Sequence, residues 1–514
     1  MIQRKTTLIA LLIMAAFGLA IAQTGYTYQA DLSSMQGNRL TVKLTVPEAS
    51  QAVVNFVFPS AVPGYYHNDL QFGRLVYNVQ AFGPQRQSLP VEQLSFNRWR
   101  IKNAKLLRYI EYEVEDAWNH KGYSKWLPAE NIFVRDKAYL LNPAALFGYL
   151  EGKENLPFYV YLTRPAGLFA SSGLNIQADA RRDAFSASSY QELAGRPILY
   201  TDQEPVSFKV GNTTMEIAVF SEKGAVRPQQ IRQVFEPMFS ALASYLGGAL
   251  PIDQYAFLFF FYSGEASPLV ALEHRNSSVW VWPEQWDPKL LKAPTLEAAL
   301  KNAGFHEFLH CYAPLNIHSE EFQQFDFDNP SMSSHLWLYE GTTEYLNYHA
   351  QVNQRLISEE VFNWFVNDML AGMKEYRQDV SLTDISSRVY GELADRYDNV
   401  AYKGFLVNLL LDIKLRQLSG GKSGLKHLIQ ELSARYGNNK AFKDSELFDI
   451  IAGMTYPQIG AFLKAHVGVT EPLPLEEIFG LVGYEYDPVR NKVKPKDEAP
   501  ERALQLREKW LFGE

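Results

Sequence analysis

The segment from His306 to His310 constrains this chain most, because it carries the pattern His-Glu-x-x-His. Residues four apart on a helix lie on the same face, so His306 and His310 can present two imidazole nitrogens to one metal ion. Pro294 and Thr295 before the segment and Pro314 after it predict a largely apolar helix that is buried. Polar side chains in such a helix are costly without a shared partner, and a metal ion is such a partner.

A second segment, residues 336–345, predicts another helix with buried aromatic and aliphatic positions, and it contains Glu340. Three protein ligands would leave the fourth tetrahedral position open to water, which is the arrangement of a catalytic zinc site. The sequence therefore predicts one Zn²⁺ per chain, held by His306, His310 and Glu340. The alternative interpretation is a pair of core histidines with ordinary hydrogen-bond partners.

Glu307 lies beside the two histidines, but its side chain projects about 100° around the helix from His306. It can therefore reach a water molecule at the metal more easily than the metal itself. This position predicts that Glu307 is the general base. Glu344, Asp326 and Asp328 are candidates for holding a ligand imidazole in the required tautomer.

The gap between His310 and Glu340, the run Phe325 to Asp328 inside it, and the ending Leu-Trp, Glu-Gly-Thr, Tyr together resemble the glycyl aminopeptidase family of zinc peptidases. The segment from Val62 to Tyr66 resembles an element of that family's N-terminal domain. The resemblance implies removal of N-terminal residues from peptide substrates, with glycine or alanine at the first position. The family often carries a PDZ module after its helical region, and the 28 residues that follow position 486 are too few for one.

The segment from Leu272 to Ser277 resembles the family's substrate-aligning edge strand. The resemblance implies that Glu273 captures the α-ammonium of the substrate through charge-assisted hydrogen bonds. An ion pair with Arg275 is the alternative for Glu273, and His274 either supports it or packs. His318 stands where the family tends to have an arginine, and this difference concerns substrate preference more than catalysis.

Family members often stabilise the oxyanion with a tyrosine just before a Lys-Gly pair. By that resemblance Tyr402 is the first candidate, because Lys403 and Gly404 follow it, although one residue is missing between the tyrosine and the lysine. Tyr397 is the second candidate.

The chain of 514 residues is too long for one hydrophobic core, and its patterns predict a multidomain α+β fold. Alternating hydrophobicity dominates residues 23–203 and predicts an N-terminal β-sandwich domain. Residues 204–348, with an apolar run expected to be a buried strand, predict a thermolysin-like zinc catalytic domain. Helical patterns over residues 349–486 predict an α-helical C-terminal domain, and the charged residues 487–514 predict an extended tail.

The net charge limits the possible binding partners, and the N-terminal sequence indicates where the protein is located. The formal net charge of −8 and the absence of a sustained Lys/Arg block argue against nucleic-acid binding. Residues 1–22 combine early positive charge, an apolar stretch and a small-residue cleavage pattern, which predict a cleavable signal peptide and a periplasmic or secreted protein. The apolar stretch is too short for a transmembrane anchor, and none is expected after cleavage.

Two other functions fit parts of the sequence. An endopeptidase or another metallohydrolase could use the same zinc ion, and a catalytically inactive peptide-binding protein could keep the same fold. The complete set of two histidines and two glutamates counts against the inactive protein, because loss of activity usually removes the base or a ligand. The sequence leaves the number of subunits open.

Overall fold

A computed structural model describes residues 25–65, 70–120, 126–264, 269–290, 293–437 and 440–513. The predicted signal peptide, residues 1–22, lies outside these residues. Within them, no helix combines the length and the apolar character needed to cross a membrane.

The N-terminal part is built mainly of β-strands, whose alternating sequence places every second side chain inside. In the strand Arg39–Thr45, for example, Leu40, Val42 and Leu44 are buried and the intervening residues are more exposed. The largest sheet has the strand order β14-β15-β12-β1-β2-β8-β4-β5. Its strands are β1 (Tyr26–Asp31), β2 (Arg39–Thr45), β4 (Val76–Phe82), β5 (Ser88–Leu89), β8 (Tyr109–Glu115), β12 (Phe158–Thr163), β14 (Gln177–Ala178) and β15 (Arg182–Ala187).

Two smaller sheets complete the N-terminal part, with the orders β13-β16-β10-β9 and β11-β3-β7-β6. Short helices α1 (Pro143–Leu146) and α2 (Tyr190–Ala194) lie between strands. The strands are β3 (Val53–Val57), β6 (Val91–Ser95), β7 (Arg98–Lys102), β9 (Ile132–Val134), β10 (Ala138–Leu141), β11 (Tyr149–Leu150), β13 (Phe169–Ser172) and β16 (Ile198–Thr201).

A separate five-stranded sheet follows, with the order β17-β18-β19-β21-β20. Its strands are β17 (Val206–Val210), β18 (Thr213–Ser221), β19 (Gln254–Tyr262), β20 (Val270–His274) and β21 (Ser277–Pro283). One face of β19 packs against helices through Phe257 and Phe259, and the other face packs towards the N-terminal sheets through Leu258 and Phe260. Because both of its faces are covered, β19 is apolar along its whole length. The strand order leaves β20 at the edge of the sheet, beside the site described below.

Three helices lie on the helical face of this sheet: α3 (Pro228–Tyr245), α4 (Leu296–Leu309) and α6 (Leu336–Asn353), with the short α5 (Glu320–Gln323) between the last two. The helix α4 begins where the sequence predicts, because the side chain of Thr295 accepts a hydrogen bond from the backbone N–H of Ala298. It packs against α6, which is buried along almost its whole length.

The C-terminal part is helical. The α+β fold class and the helical C-terminal region are as predicted. The helices are α7 (Glu359–Lys374), α8 (Leu382–Ser387), α9 (Tyr397–Ser419), α10 (Leu425–Tyr436), α11 (Leu447–Met454), α12 (Pro457–Leu463), α13 (Leu475–Leu481) and α14 (Glu501–Phe512).

The prediction of an extended tail over residues 487–514 is wrong. The strands β22 (Tyr484–Asp487) and β23 (Lys492–Pro495) form a hairpin, and α14 packs against the helices before it. Ala503, Trp510 and Leu511 recur at helical spacing and are all buried. The high charge of the segment concealed this apolar stripe.

Trp510 ties the tail to the helix that contains Glu340. Its side chain is fully buried, its Nε1–H donates to Oη of Tyr345 at 3.0 Å, and its carbonyl oxygen lies 2.7 Å from Nε2 of His349. Tyr345 and His349 both belong to α6. The tail is therefore an integral part of the helical region and supports the helix that contains Glu340.

We expect Trp510→Ala to lower the free energy of unfolding by about 3–5 kcal/mol, because it removes a large buried ring and one hydrogen bond. The measurement is the thermal or urea unfolding midpoint. Val489→Ala is the matched control, since Val489 is 86% exposed in the same segment. Equal midpoints for Trp510→Ala and the wild type would contradict an integral role for the tail.

Candidate metal centre

The structure brings His306, His310 and Glu340 together between α4 and α6. The two Nε2 atoms are 3.3 Å apart, and each lies 3.8 Å from Oε2 of Glu340. A point equidistant from these three atoms lies roughly 2.1 Å from each, which is the length of a zinc–nitrogen or zinc–oxygen bond. The donor atoms therefore fit a metal ion without rearrangement.

The other nitrogen of each imidazole already has a partner. Nδ1 of His306 lies 2.7 Å from Oε2 of Glu344, and Nδ1 of His310 lies 3.0 Å from the carbonyl oxygen of Ala313. Both partners are acceptors, so each Nδ1–H donates to its partner and each Nε2 points at the site, where the neutral imidazole can offer its lone pair to a metal ion. Glu344 is thus the carboxylate that orients a ligand imidazole.

Asp326 and Asp328, the other two candidates for that role, do not reach the imidazoles. Asp326 accepts hydrogen bonds from the backbone N–H groups of Asp328 and Asn329, and Asp328 pairs with Arg98 of the N-terminal part. Both carboxylates stabilise the loop instead.

Negative charge accumulates in this buried space. Burial lowers the pKa of His310 to about 4, which leaves its imidazole neutral. Burial also disfavours the charged form of His306, but the carboxylates of Glu344, Glu307 and Glu340 outweigh it and raise the pKa of His306 to about 10. An excess of carboxylates around a shared point is the charge pattern that a bound cation neutralises.

Glu307 is 7% exposed on the last turn of α4. Burial raises the pKa of its carboxyl to about 7, and the charge of His306 opposes that rise. A carboxylate with a pKa near neutrality can accept and return a proton under physiological conditions.

Glu273 on the edge strand β20 faces the same space. It is 9% exposed, and its pKa is raised by burial and then by the charges of Glu340 and Glu307. The described residues show no ion pair between Glu273 and Arg275. The charge of Arg275 instead helps to lower the pKa of Glu192. The buried carboxyl is therefore available to a positively charged group.

Gly64 of the N-terminal part lies directly against Glu273, which the sequence alone did not reveal. Its φ is +84°, and a Cβ at this position would lie 2.6 Å from Oε1 of Glu273. Only glycine combines this backbone conformation with so close an approach. The glycine within the Val62 to Tyr66 element was the available sequence signal.

The two candidate tyrosines lie in different surroundings, although both belong to α9. Burial and then the charges of Glu340 and Glu273 raise the pKa of Tyr397 well above its ordinary value, so this side chain lies near both carboxylates. The ring of Tyr402 instead packs on α7, where its Cδ1 would lie 2.5 Å from a Cβ at Gly372. Of the two candidates, Tyr397 therefore lies nearer to Glu340, and the identity of the oxyanion donor stays a prediction.

His274 does not face the metal ligands. Consecutive strand residues point to opposite faces, and His274 follows Glu273 on β20. Its Nε2 has no partner among the described residues, and burial lowers its pKa to about 3. Tyr390, which the sequence did not single out, is a further neighbour of Glu273. Burial and then the charge of Glu273 raise the pKa of the Tyr390 hydroxyl.

A close helix crossing fixes the position of Glu340. A Cβ at Gly341 would lie 2.5 Å from the carbonyl carbon of Gly404, so α6 and α9 meet backbone to backbone. Glycine at both positions permits this approach. The crossing therefore sets Glu340 on α6 and Tyr397 on α9 relative to each other.

Comparison with solved structures shows the same fold in other proteins. An aminopeptidase N family protein from Idiomarina loihiensis is 21% identical, with a TM-score of 0.75 over 93% of this chain and 82% of its own. Yeast LTA4 hydrolase in complex with bestatin is 14% identical, with a TM-score of 0.52 over 88% of this chain and 68% of its own. An M1 zinc metallopeptidase variant from Deinococcus radiodurans, bound to a Tyr-Ser-Ala substrate, is 11% identical, with a TM-score of 0.52 over 87% of this chain and 94% of its own.

Comparison with models of protein families assigns the chain more specifically than the solved structures do. No curated protein matches the chain. The Peptidase M61 N-terminal domain matches residues 27–202, and the M61 glycyl aminopeptidase domain matches residues 301–403. The second match includes all three candidate ligands. The two matches cover more than half of the sequence, and the chain therefore belongs to the M61 glycyl aminopeptidase family of peptidases.

Proposed function

We propose that the protein is a zinc-dependent aminopeptidase that removes N-terminal residues from peptides and prefers a small first residue, glycine or alanine. The observation that carries this proposal is the buried carboxyl of Glu273 in the same space as the His306, His310 and Glu340 donor atoms. The preference for small residues rests on the family resemblance.

His306, His310 and Glu340 would hold the zinc ion, and the geometry of their donor atoms fits it. A zinc ion in such a site lowers the pKa of a water molecule and polarises the peptide carbonyl. Glu344 holds the imidazole of His306 with its Nε2 towards the ion.

Glu307 accepts the proton of the attacking water and then transfers it to the leaving amine. Its pKa of about 7 suits both steps. The hydroxyl of Tyr397 donates to the oxyanion that develops on the scissile carbonyl, because Tyr397 is the candidate tyrosine that lies near Glu340.

Glu273 determines where the peptide is cut. Its carboxylate binds the free α-ammonium of the substrate, and the ammonium supplies the positive charge that this acidic space lacks. A substrate fixed at its N-terminus presents its first peptide bond to Glu307. An endopeptidase would have no use for a buried carboxylate at this position, and an inactive binding protein would have none for Glu307.

The signal-peptide pattern of residues 1–22 supports a further proposal, that the enzyme is exported and acts in the periplasm or outside the cell.

Free-amine and N-acetylated forms of the same peptides test this function. We expect the wild type to cleave only the free-amine form and Glu273→Gln to lower kcat/KM for it by about 100-fold, since the buried ammonium loses its charge partner. Glu297→Gln on the exposed side of α4 is the control. Equal cleavage of both forms would exclude an aminopeptidase.

The contact between Gly64 and Glu273 gives a second prediction. Gly64→Ala should lower kcat/KM for free-amine substrates at least about tenfold, because a methyl group there displaces the carboxylate. Gly167→Ala is the matched control, since its φ is +86° and nothing lies within 4 Å of its Cβ position. Equal losses in the two variants would mean that backbone strain, and not the contact, matters.

A third prediction concerns the carboxylate of Glu344. We expect Glu344→Gln to weaken zinc binding by about 10- to 100-fold, because Nδ1 of His306 loses its charged acceptor. Competition with a chelator measures the affinity. Asp326→Asn is the control, as that carboxylate binds only loop backbone. Unchanged zinc affinity in Glu344→Gln would remove its orienting role.

A further inference from the structure

Four carboxylates line a pocket of about 630 Å³ where the N-terminal part meets the segment between α5 and α6. We call it the acidic pocket and define it by Tyr149, Glu151, Glu154, Asp326 and Asp328. None of the metal-ligand residues lines it. Glu151 and Asp326 are exposed, so solvent enters the pocket, and its volume lies in the range of small-molecule binding sites.

Negative charge in the acidic pocket exceeds the positive charge that the described residues supply. Arg98 pairs with both Glu151 and Asp328, so one guanidinium serves two carboxylates. Burial disfavours the charge of Glu151, but the hydrogen bond from Arg98 outweighs burial and lowers the pKa of Glu151. Asp328 keeps a raised pKa, because burial and the neighbouring carboxylates outweigh the charge of Arg98. A further cation would therefore be stabilised here.

The hydroxyl of Tyr149 is a second sign of a ligand in the acidic pocket. The residue is only 5% exposed, and its hydroxyl has no hydrogen-bond partner in the part of the chain that the structure describes. Burial and then the charges of all four carboxylates raise its pKa, so the hydroxyl lies near each of them. Its oxygen can accept a hydrogen bond from an N–H donor that enters the pocket. A polar group of a lined pocket that lacks a partner indicates such a donor.

The spacing of the carboxylates distinguishes a metal ion from an organic cation. A metal ion needs ligand atoms that converge to about 2.0–2.6 Å from one point. Within the described ranges, only His306, His310 and Glu340 bring three possible ligand atoms close enough together. Ammonium or guanidinium groups on a carbon chain can instead each reach a different carboxylate. Phe325 and Phe327 also line the pocket, and the carbon chain can pack on them.

We propose that the acidic pocket binds an organic polycation, a molecule with two or more primary ammonium or guanidinium groups on a flexible chain. Free polyamines and the lysine and arginine side chains of a basic peptide present this same chemistry. The pocket is separate from the metal centre, so the inference does not depend on the proposed function.

Isothermal titration calorimetry of the zinc-loaded protein tests the pocket at low ionic strength, where charge pairing is least screened. The organic probes are putrescine, spermidine and an N-acetylated Arg-Lys-Arg peptide amide, whose blocked terminus has no α-ammonium for Glu273. Ca²⁺ has the same charge as putrescine and is the inorganic control. We expect putrescine to bind more tightly than Ca²⁺, and spermidine more tightly than putrescine.

Three variants locate the binding. We expect Glu154→Gln to weaken spermidine binding about tenfold, because the ligand loses one charged hydrogen-bond partner. Oε2 of Glu154 has no hydrogen-bond partner among the described residues, so this change removes charge and no observed contact at that atom. Tyr149→Phe should weaken binding about threefold, since it removes one neutral acceptor. Glu476→Gln, at an exposed carboxylate of α13, is the matched control and should bind as the wild type does.

Binding of spermidine or the peptide that Glu154→Gln weakens and Glu476→Gln does not supports the inference, and the tighter of the two probes identifies the source of the polycation. Ca²⁺ that binds as tightly as putrescine would overturn it, because a general acidic surface would then suffice. Equal losses in Glu154→Gln and Glu476→Gln would overturn it too. So would a folded wild type that binds none of the organic probes.

Discussion

The excess of carboxylates buried between α4, α6 and β20 is the constraint on which the rest of the site depends. Glu273, Glu307, Glu340 and Glu344 surround two imidazoles. The charge of Glu340 adds to the rise in pKa that burial causes at Glu273 and Glu307, and the charges of Glu344, Glu307 and Glu340 raise the pKa of His306. Such a cluster is unfavourable unless positive charge enters it. The proposed function supplies that charge twice, through a metal ion at the three ligands and through the ammonium of the substrate at Glu273.

Glycines set the distances within this cluster. Gly341 and Gly404 allow α6 and α9 to meet through their backbones, which fixes Glu340 relative to Tyr397. Gly64 allows a loop of the N-terminal part to lie against Glu273. The N-terminal β-rich part is thereby more than a support, because it forms one wall of the space around Glu273. A cavity lined by Val62, Glu273, His274 and His318 lies at the same junction.

The metal ligands could be predicted from the sequence because helical periodicity alone places His306 beside His310, and a strongly apolar helix contains Glu340. The choice between Tyr397 and Tyr402 could not, since five residues along a helix change the face on which a side chain lies. The contact between Gly64 and Glu273 joins distant parts of the chain, and no local pattern specifies it. The fold of the tail was concealed because its charge outweighed the stripe that includes Trp510.

The central claim is that His306, His310 and Glu340 bind one zinc ion. Anomalous diffraction at the zinc absorption edge, from crystals of the zinc-loaded protein, tests it most directly. We expect one strong peak about 2.0–2.2 Å from Nε2 of both histidines and from a carboxylate oxygen of Glu340. A zinc-loaded crystal with no peak between these side chains, or with its zinc held elsewhere, would contradict it.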